Sequence, residues 1–154
     1  MKVSQLLSPK QIKIGIVNNE KSAIIKELID ILVRNGLISD AGKAFEDVME
    51  RELQQSTGLE KGLAIPHGKS TAIQSLAGAM AISEEGKDFM SLDGEPSHIF
   101  FLMIAAPDEA GKHVRALANI AILTKNPMVR RKLARAQTPE EAYQIILDEE
   151  AGSL

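Results

Sequence analysis

Hydrophobic and polar positions follow first a strand-like period and then a helical one near the start of the chain. Residues 12–16 alternate apolar and polar side chains, which predicts a half-buried strand, and Asn18 and Asn19 offer turn and helix-cap chemistry after it. Apolar residues then recur at helical spacing over residues 21–35, and Gly36 stands where a left-handed C-terminal cap is needed. The chain is therefore expected to open with a strand and a helix.

A second helix and a loop rich in glycine and proline are predicted next. Asp40 can cap a helix that extends to about Gln55, with an apolar stripe made of Phe45, Val48, Met49 and Leu53. Residues 56–69 contain Gly58, Gly62, Pro66 and Gly68, so we expect a shaped loop around a short strand at residues 63–65. His67 would lie at the exit of that strand.

Two more strands and three helices complete the predicted order. Residues 76–82 and 98–106 are strand candidates, and the second is apolar at consecutive positions, which is typical of a central strand. Helices are expected at residues 110–124, at residues 128–135 and from Pro139 onward, where Thr138 can cap the last one. In the first of these helices we expect five buried side chains: Val114, Leu117, Ala118, Ala121 and Ile122. The order β-α-α-β-β-β-α-α-α predicts one layered domain over residues 1–154, with helices on a largely buried sheet.

Composition removes several classes of function. The 154 residues include no cysteine, which excludes a thiolate metal site and a cysteine nucleophile, and leaves histidine as the leading nucleophile. A net charge of −3 and 3% aromatic residues argue against nucleic-acid binding. The longest apolar run, residues 99–106, is far shorter than the roughly 20 residues that span a bilayer, and the first residues lack the pattern of a secretion signal. We expect a cytoplasmic protein.

His67 is the candidate nucleophile for a phosphoryl group. Neutral imidazole is nucleophilic near neutral pH, Pro66 restricts the chain before it, and Gly68 removes a side chain after it. Backbone N–H groups after Gly68 could also hold an anion. On these residues alone, however, Pro-His-Gly is more often a loop turn with an exposed histidine.

Four other side chains could support phosphoryl transfer. Arg51 could bind phosphate oxygens in a forked geometry, Ser56 and Thr57 supply hydroxyls, and His113 lies in the first turn of a predicted helix, where anions are favoured. Arg51 could equally be a solvated charge, and His113 a simple helix cap. Because no Gly-rich loop of the Walker type is present, a phosphoprotein is a better donor than ATP. A zinc site from His67, His98 and His113 is a poorer alternative, since it lacks local ligand spacing.

The residues around His67 resemble enzyme IIA of the phosphoenolpyruvate-dependent sugar phosphotransferase system, in the fructose and mannitol class (type-2 IIA) that includes the nitrogen-regulatory members. The family signature is matched by Glu52, Leu59 and residues 63–68, and the resemblance extends over nearly the whole chain. Glu60 departs from it, because the signature has Gly or Ala at that position. Glu60 could therefore reshape the loop or alter the choice of partner.

The resemblance implies a fold, a reaction and partners. The fold is a three-layer α/β/α sandwich with a mixed sheet, an α/β class that some schemes call α+β. His67 would be phosphorylated on Nε2 by the histidine-containing phosphocarrier protein, with His113 and Arg51 in support, and without a cofactor or metal. The phosphoryl group would pass to a cysteine of enzyme IIB and then, through membrane enzyme IIC, to a fructose-like sugar, with IIB and IIC as separate chains. The alternative is a regulatory IIA that controls a partner protein through the phosphorylation state of His67.

Overall fold

The computed structural model describes residues 2–152, so Met1, Ser153 and Leu154 of the predicted domain lie outside the described residues. Eleven helices and strands are formed in this range, together with a short 3-10 turn at Pro9–Gln11. In chain order they are α1 (Val3–Leu6), β1 (Ile12–Ile14), α2 (Lys21–Arg34), α3 (Ala41–Gln54), β2 (Leu63–Ala64), β3 (His67–Lys69), β4 (Ala77–Lys87), β5 (Ser97–Ala105), α4 (Ala110–Leu123), α5 (Pro127–Ala134) and α6 (Pro139–Glu150).

The five strands form one mixed sheet, as the family resemblance implied. Strands β1, β4, β5 and β2 follow one another across the sheet, and β3 pairs with β5 beyond β2. The pairs β1–β4, β2–β5 and β3–β5 are parallel, whereas β4 and β5 are antiparallel. Strand β5 is therefore central, as its unbroken apolar run predicted, and it places His67 opposite Met103.

Helices cover both faces of the sheet, which confirms the α/β/α sandwich. On one face, Phe100, Leu102 and Ile104 pack in a cluster with apolar residues of α2 and α3. On the other face, Ile99 and Phe101 belong to a cluster with residues of α1, α4, α5 and α6. Successive residues of β5 thus contribute to opposite layers, because side chains of a strand alternate between its faces.

Most predicted helix ends are present in the structure. Asp40 accepts a hydrogen bond from the Lys43 N–H at the start of α3, and Thr138 caps α6 in the same way. Gly36 adopts φ +70° after α2, the left-handed geometry expected of it. The cap prediction for Asn18 and Asn19 is wrong: Glu20 is the N-cap residue of α2 without a side-chain cap bond, and Asn18 donates instead to the Glu27 carboxylate.

The predicted element order missed three short segments. Helix α1 and the 3-10 turn precede the first strand, and β3 is a separate strand that begins at His67. His67 therefore lies three residues beyond the end of β2 and inside the sheet. These segments have only three or four residues each, which is too few to display a period of 3.6 or 2. Strand β4 also continues past its predicted end to Lys87.

The predicted buried face of α4 is wrong. The buried residues of this helix are His113, Ala116, Ile120 and Leu123, whereas Val114, Ala118, Ala121 and Ile122 are exposed and Leu117 is half-buried. In α3, Leu53 is 81% exposed and Glu52 is buried in its place. Helix α4 carries apolar residues around much of its circumference, so spacing alone could not choose the face that packs. In α3 the predicted stripe is confirmed at Phe45, Val48 and Met49, which pack in the cluster around α2, and only Leu53 departs from it.

No helix within residues 2–152 has the length and apolar character needed to cross a membrane.

Candidate functional site

A cleft of about 460 Å³ opens where α3, β3 and α4 meet. Helix α3 packs against β3, and the start of α4 follows the end of β5, so three segments distant in sequence converge here. The cleft is lined by Arg51, Gln54, His67, Gly68, Lys69, Ala110, His113, Val114 and Leu117. The structure thus brings together His67, His113 and Arg51, the three residues expected to take part in the chemistry.

His67 presents one ring nitrogen to this cleft and uses the other in a hydrogen bond. Its Nδ1 lies 2.6 Å from the carbonyl oxygen of Ile65. A carbonyl oxygen can only accept, so Nδ1 carries the proton and Nε2 keeps its lone pair. Burial lowers the pKa of His67 below its ordinary value of 6.5; the Ile65 carbonyl opposes that change, and the charge of Arg51 adds to it. His67 is therefore neutral and nucleophilic at pH 7.

His113 packs edge-on against His67. The two ring centroids are 5.4 Å apart and the ring planes make an angle of 80°. His113 is 5% exposed, and burial, followed by the charges of His67 and Lys69, lowers its pKa to about 4. Its Nε2 is buried and has no hydrogen-bond partner within the described chain. Buried polar atoms are normally paired, so this nitrogen is available to a group that enters the cleft.

Arg51 approaches the cleft from the C-terminal end of α3. Its Nη1 donates to the carbonyl oxygen of Gln55 at 2.9 Å, a bond that holds the side chain near the helix end. Its charge contributes to the lowered pKa of His67. A guanidinium has five N–H donors, so this single bond leaves most of them for an anion.

Sequence reasoning missed Glu109, the residue that precedes α4. Its Oε2 accepts from Lys112 Nζ at 3.0 Å, while its Oε1 is buried without a partner among residues 2–152. Glu109 is the N-cap residue of α4, four positions before His113. An acidic residue at a helix start, one turn from a candidate histidine, was the available signal.

Ser56 and Thr57 do not line the cleft. Ser56 Oγ accepts from Lys21 Nζ at 2.8 Å and donates to the carbonyl oxygen of Phe89. Thr57 is buried, and both its N–H and its hydroxyl donate to the carboxylate of Glu52. Both hydroxyls therefore bind protein groups beneath the cleft, where they hold the loop that leads to β2.

Gly68 allows β3 to lie very close to α3. A side chain there would have its Cβ only 3.3 Å from both the Val48 Cα and the Asp47 carbonyl oxygen. The N–H of Ser70, which follows β3, donates to the Ala105 carbonyl at 2.9 Å and is not free for an anion. Gly68 thus supports the site through packing, and the anion-binding role of the N–H groups after it stays a prediction.

Glu60 lies in a tight turn outside the cleft. Lys61 and Gly62 adopt φ of +61° and +80°, and the Leu63 N–H donates to the Glu60 carbonyl at 3.3 Å. Two consecutive left-handed residues define a type I′ turn. Glu60 itself has an ordinary negative φ and an exposed side chain, so its departure from the family signature causes no backbone strain.

The structure does not assemble the three histidines. His98 lies at the opposite end of β5 from Met103, the residue paired with His67, and its Nδ1 is 3.0 Å from the Ser83 carbonyl. Among residues 2–152, no three His, Cys, Asp or Glu side chains are grouped so that they could hold a metal ion.

The chain was then compared with known proteins. Residues 5–149 match the family model described as the phosphoenolpyruvate-dependent sugar phosphotransferase system, EIIA 2. The chain belongs to this family. Membership in this type-2 EIIA family supports a general role in phosphoryl transfer.

Relatives of this EIIA protein fall into transport and regulatory groups. It is 34% identical over 146 residues to the fructose-specific EIIABC component of Bacillus subtilis, a match that covers 95% of this chain and 23% of that protein. The chain thus spans about a quarter of that relative. It is 29% identical over 152 residues to a nitrogen regulatory protein of Pseudomonas aeruginosa, with 99% of each chain covered.

Solved structures share the fold. The nitrogen regulatory protein IIA-Ntr of Neisseria meningitidis superposes with a TM-score of 0.84 at 26% identity, covering 94% of this chain and 98% of that one. The enzyme IIA of Escherichia coli that was solved in complex with phosphorylated enzyme IIB of the mannitol system has a TM-score of 0.79 at 17% identity, covering 92% and 96%. EIIA domains therefore include members that bind an EIIB domain.

Proposed function

We propose that this protein is a cytoplasmic protein-histidine phosphotransferase that carries a phosphoryl group on His67. The donor is the phosphohistidine of the histidine-containing phosphocarrier protein, and the acceptor is a cysteine of enzyme IIB, which delivers the group through enzyme IIC to a fructose-like sugar. One observation carries the proposal: His67 Nδ1 donates to the Ile65 carbonyl and leaves Nε2 with a lone pair beside the cleft.

The transfer needs no cofactor, because each step exchanges one bond to phosphorus for another. The P–N bond to the donor histidine breaks as His67 Nε2 forms its own P–N bond, and the donor imidazole leaves with the electron pair. The ring of His67 becomes positive as its lone pair is shared, and the Ile65 carbonyl on Nδ1–H stabilises that charge. In the second step a cysteine thiolate attacks phosphorus, and His67 leaves as neutral imidazole.

Arg51 and His113 are placed to stabilise the phosphoryl oxygens. Phosphoryl transfer depends mainly on alignment and on positive or hydrogen-bonding groups around the three equatorial oxygens. Arg51 offers N–H donors at one wall of the cleft, and the buried Nε2 of His113 lacks a partner at another. A doubly charged phosphoryl group next to His113 would favour its protonated form, which could then donate to an oxygen.

The rim of the cleft suits a protein donor. Val114 is 66% exposed and Leu117 is half-buried, and both line the cleft on its α4 side. An apolar rim around a charged centre is typical of a surface that another protein covers. This arrangement supports a phosphoprotein as donor more than it supports a nucleotide.

Labelling from phosphoenolpyruvate tests the assignment. With this chain, the phosphocarrier protein and the enzyme that phosphorylates that carrier from phosphoenolpyruvate, we expect label on the wild type and none on His67→Ala, because the attacking nitrogen is removed. His98→Ala is the matched control and should be labelled like the wild type. Label on His67→Ala, carried by His113 or His98, would show that His67 is not the acceptor.

The second candidate function is regulation through the phosphorylation state of His67. Nitrogen regulatory proteins are among the relatives of this chain, and the one of Pseudomonas aeruginosa is 29% identical to it over 152 residues. A phosphoryl group adds up to two negative charges at the exposed rim and changes which surfaces fit it. Adding candidate IIB proteins to the labelled protein separates the two: loss of label from His67 to a IIB cysteine supports the relay, and retention of label supports regulation.

A further inference from the structure

A buried ion pair lies beneath the loop that leads to His67. Lys21 Nζ is 2.6 Å from Glu52 Oε1, and the side chains of the two residues are 19% and 2% exposed. Lys21 also donates to Ser56 Oγ and lies over the ring of Phe89, 4.8 Å from its centroid. Removing two charges from water is costly, so such a pair is retained only where further bonds satisfy it.

The Glu52 carboxylate is satisfied by Thr57 as well as by Lys21. The Thr57 N–H donates to Oε1 at 2.9 Å, and the Thr57 hydroxyl donates to Oε2 at 2.6 Å. Thr57 is thus held at two points by a carboxylate that is itself held by Lys21. The hydroxyl bond is short, as expected when the acceptor is charged.

Thr57 in turn holds the residue that orients the nucleophile. Its carbonyl oxygen accepts from the Ile65 N–H at 3.0 Å, and the Ile65 carbonyl accepts from His67 Nδ1 at 2.6 Å. The contacts form an unbroken series from Lys21 through Glu52, Thr57 and Ile65 to His67. Glu52 also acts on His67 through its negative charge, which opposes the lowering of the His67 pKa.

We propose that Lys21, Glu52 and Thr57 form a positioning unit that fixes the ring orientation and tautomer of His67 through the Ile65 carbonyl. This inference rests on the proposed function for its catalytic consequence. If the Thr57 anchor loosens, the Ile65 carbonyl is less firmly held, its bond to Nδ1–H weakens, and the ring spends more time with the proton on Nε2. In that tautomer the attacking lone pair is lost.

Thr57→Val tests the unit with little change in shape, because valine keeps the branched side chain and removes the hydroxyl. Thr57→Ser restores the hydroxyl and should behave like the wild type. The control is Thr124→Val: Thr124 is also buried and donates through its hydroxyl to a carbonyl, that of Ile120, but lies at the other end of α4 from His113. Both valine variants therefore lose one buried hydroxyl bond.

Two measurements are made on the full chain, and both start from its unphosphorylated form. Nitrogen-15 NMR of the imidazole should show the Nδ1–H tautomer of His67 in the wild type, Thr57→Ser and Thr124→Val, and a mixture of tautomers in Thr57→Val. The rate of labelling by the phosphocarrier protein should fall roughly 10-fold in Thr57→Val alone, since small displacements of a reacting group have effects of this size or larger. A general loss of stability would lower the labelling rate of both valine variants, whereas a loss of positioning lowers it in Thr57→Val alone.

The tautomer measurement decides the inference. If Thr57→Val keeps the wild-type tautomer, the positioning unit is wrong, whatever happens to the rate. If the tautomer changes while the labelling rate stays the same, the positioning unit is confirmed. In that case His67 is not the attacking group, and the proposed function is wrong. Should Thr57→Val not fold, Lys21→Gln provides the second test, because a neutral amide can still donate to Glu52. Lys21→Gln should shift the tautomer of His67 in the same direction by a smaller amount. An unchanged tautomer in this variant would overturn the inference.

Discussion

At the scale of single residues, two backbone features shape the loop before the nucleophile. The Ile65 carbonyl selects the ring nitrogen of His67 that can react, and Pro66 limits how far the peptide between them can rotate. The turn at Glu60 requires two left-handed residues, which Lys61 and Gly62 provide. Glycine adopts this geometry freely, whereas lysine does so at a cost, because its Cβ approaches backbone oxygen atoms.

Lys61→Asn should stabilise the protein by about 0.5–1 kcal/mol. Asparagine tolerates the left-handed region better than lysine, and the Asn-Gly pair that results is strongly preferred in type I′ turns. Urea unfolding at pH 7 would measure the change. Lys125→Asn is the control, because Lys125 is exposed but has no positive φ, and it should bring no gain. A loss of stability in Lys61→Asn would contradict the strain argument.

At the scale of elements, α4 shows how one helix can offer two apolar faces. Its buried face contacts the sheet layer through Ala116, Ile120 and Leu123, while Val114 and Ile122 point to solvent. The buried face also carries His113, so the choice of face is what brings the second histidine to the cleft. Had the predicted face been buried, His113 would lie at the flank of the helix, turned away from the sheet.

Alanine substitution along α4 distinguishes the two faces. Ile120→Ala should lower the free energy of unfolding by about 3 kcal/mol, because Ile120 is fully buried and a cavity would remain. Ile122→Ala, on the same helix with the same chemical change, should alter it by less than about 0.5 kcal/mol, since Ile122 is 68% exposed. Chemical denaturation of both variants provides the comparison. Similar losses at the two positions would show that α4 packs differently.

At the scale of the whole molecule, the site depends on contacts between segments that are far apart in sequence. Arg51 lies in the last turn of α3, His67 begins β3, and His113 lies in the first turn of α4. Strand β5 joins these parts, because β3 pairs with it and α4 follows it. Folding therefore buries two histidine rings together, and this links the protonation of the site to global stability.

The protein should become less stable as pH falls from 7 to 5, and His113 should account for about 2 kcal/mol of the loss. Its pKa is lowered from 6.5 to about 4, so in this range the unfolded chain binds a proton that the folded chain does not. His67, whose pKa is also lowered, acts in the same direction. Stability is therefore higher above pH 6.5 and declines as pH falls toward 4.

Urea unfolding of the wild type and of His113→Gln at pH 7 and pH 5 checks this prediction. The variant lacks the titrating group, so between pH 7 and pH 5 its free energy of unfolding should fall by about 2 kcal/mol less than that of the wild type. The Glu27 carboxyl does not interfere, because its pKa is lowered to about 2 and its contribution is lost only below its ordinary value of 4.5. Equal pH dependence in the two proteins would refute the assignment to His113.

Much of the fold and part of the site followed from local patterns. Helices α2, α3 and α6, with the caps at Asp40 and Thr138, were predicted because their signals span only a few residues. His67 is the candidate nucleophile because the chain has no cysteine and because of its neighbours Pro66 and Gly68, and the motif around it indicates the type-2 EIIA family. The position of the proton on His67, by contrast, depends on the direction of the Ile65 carbonyl, which the pattern of apolar and polar residues does not predict.

What the sequence determined by itself was therefore the set of longer elements, their order and the family to which the chain belongs, because periodicity, caps and motifs are properties of neighbouring residues. Tertiary structure alone decided which face of α4 is buried, that β3 is a separate strand, and that Ser56 and Thr57 bind protein groups beneath the cleft. It also brought Lys21 to Glu52, two residues from different helices. The physical reason is that packing and the pairing of buried charges depend on contacts between segments that are distant in sequence. Several tertiary arrangements are compatible with the same local pattern, and only the packed core selects one of them.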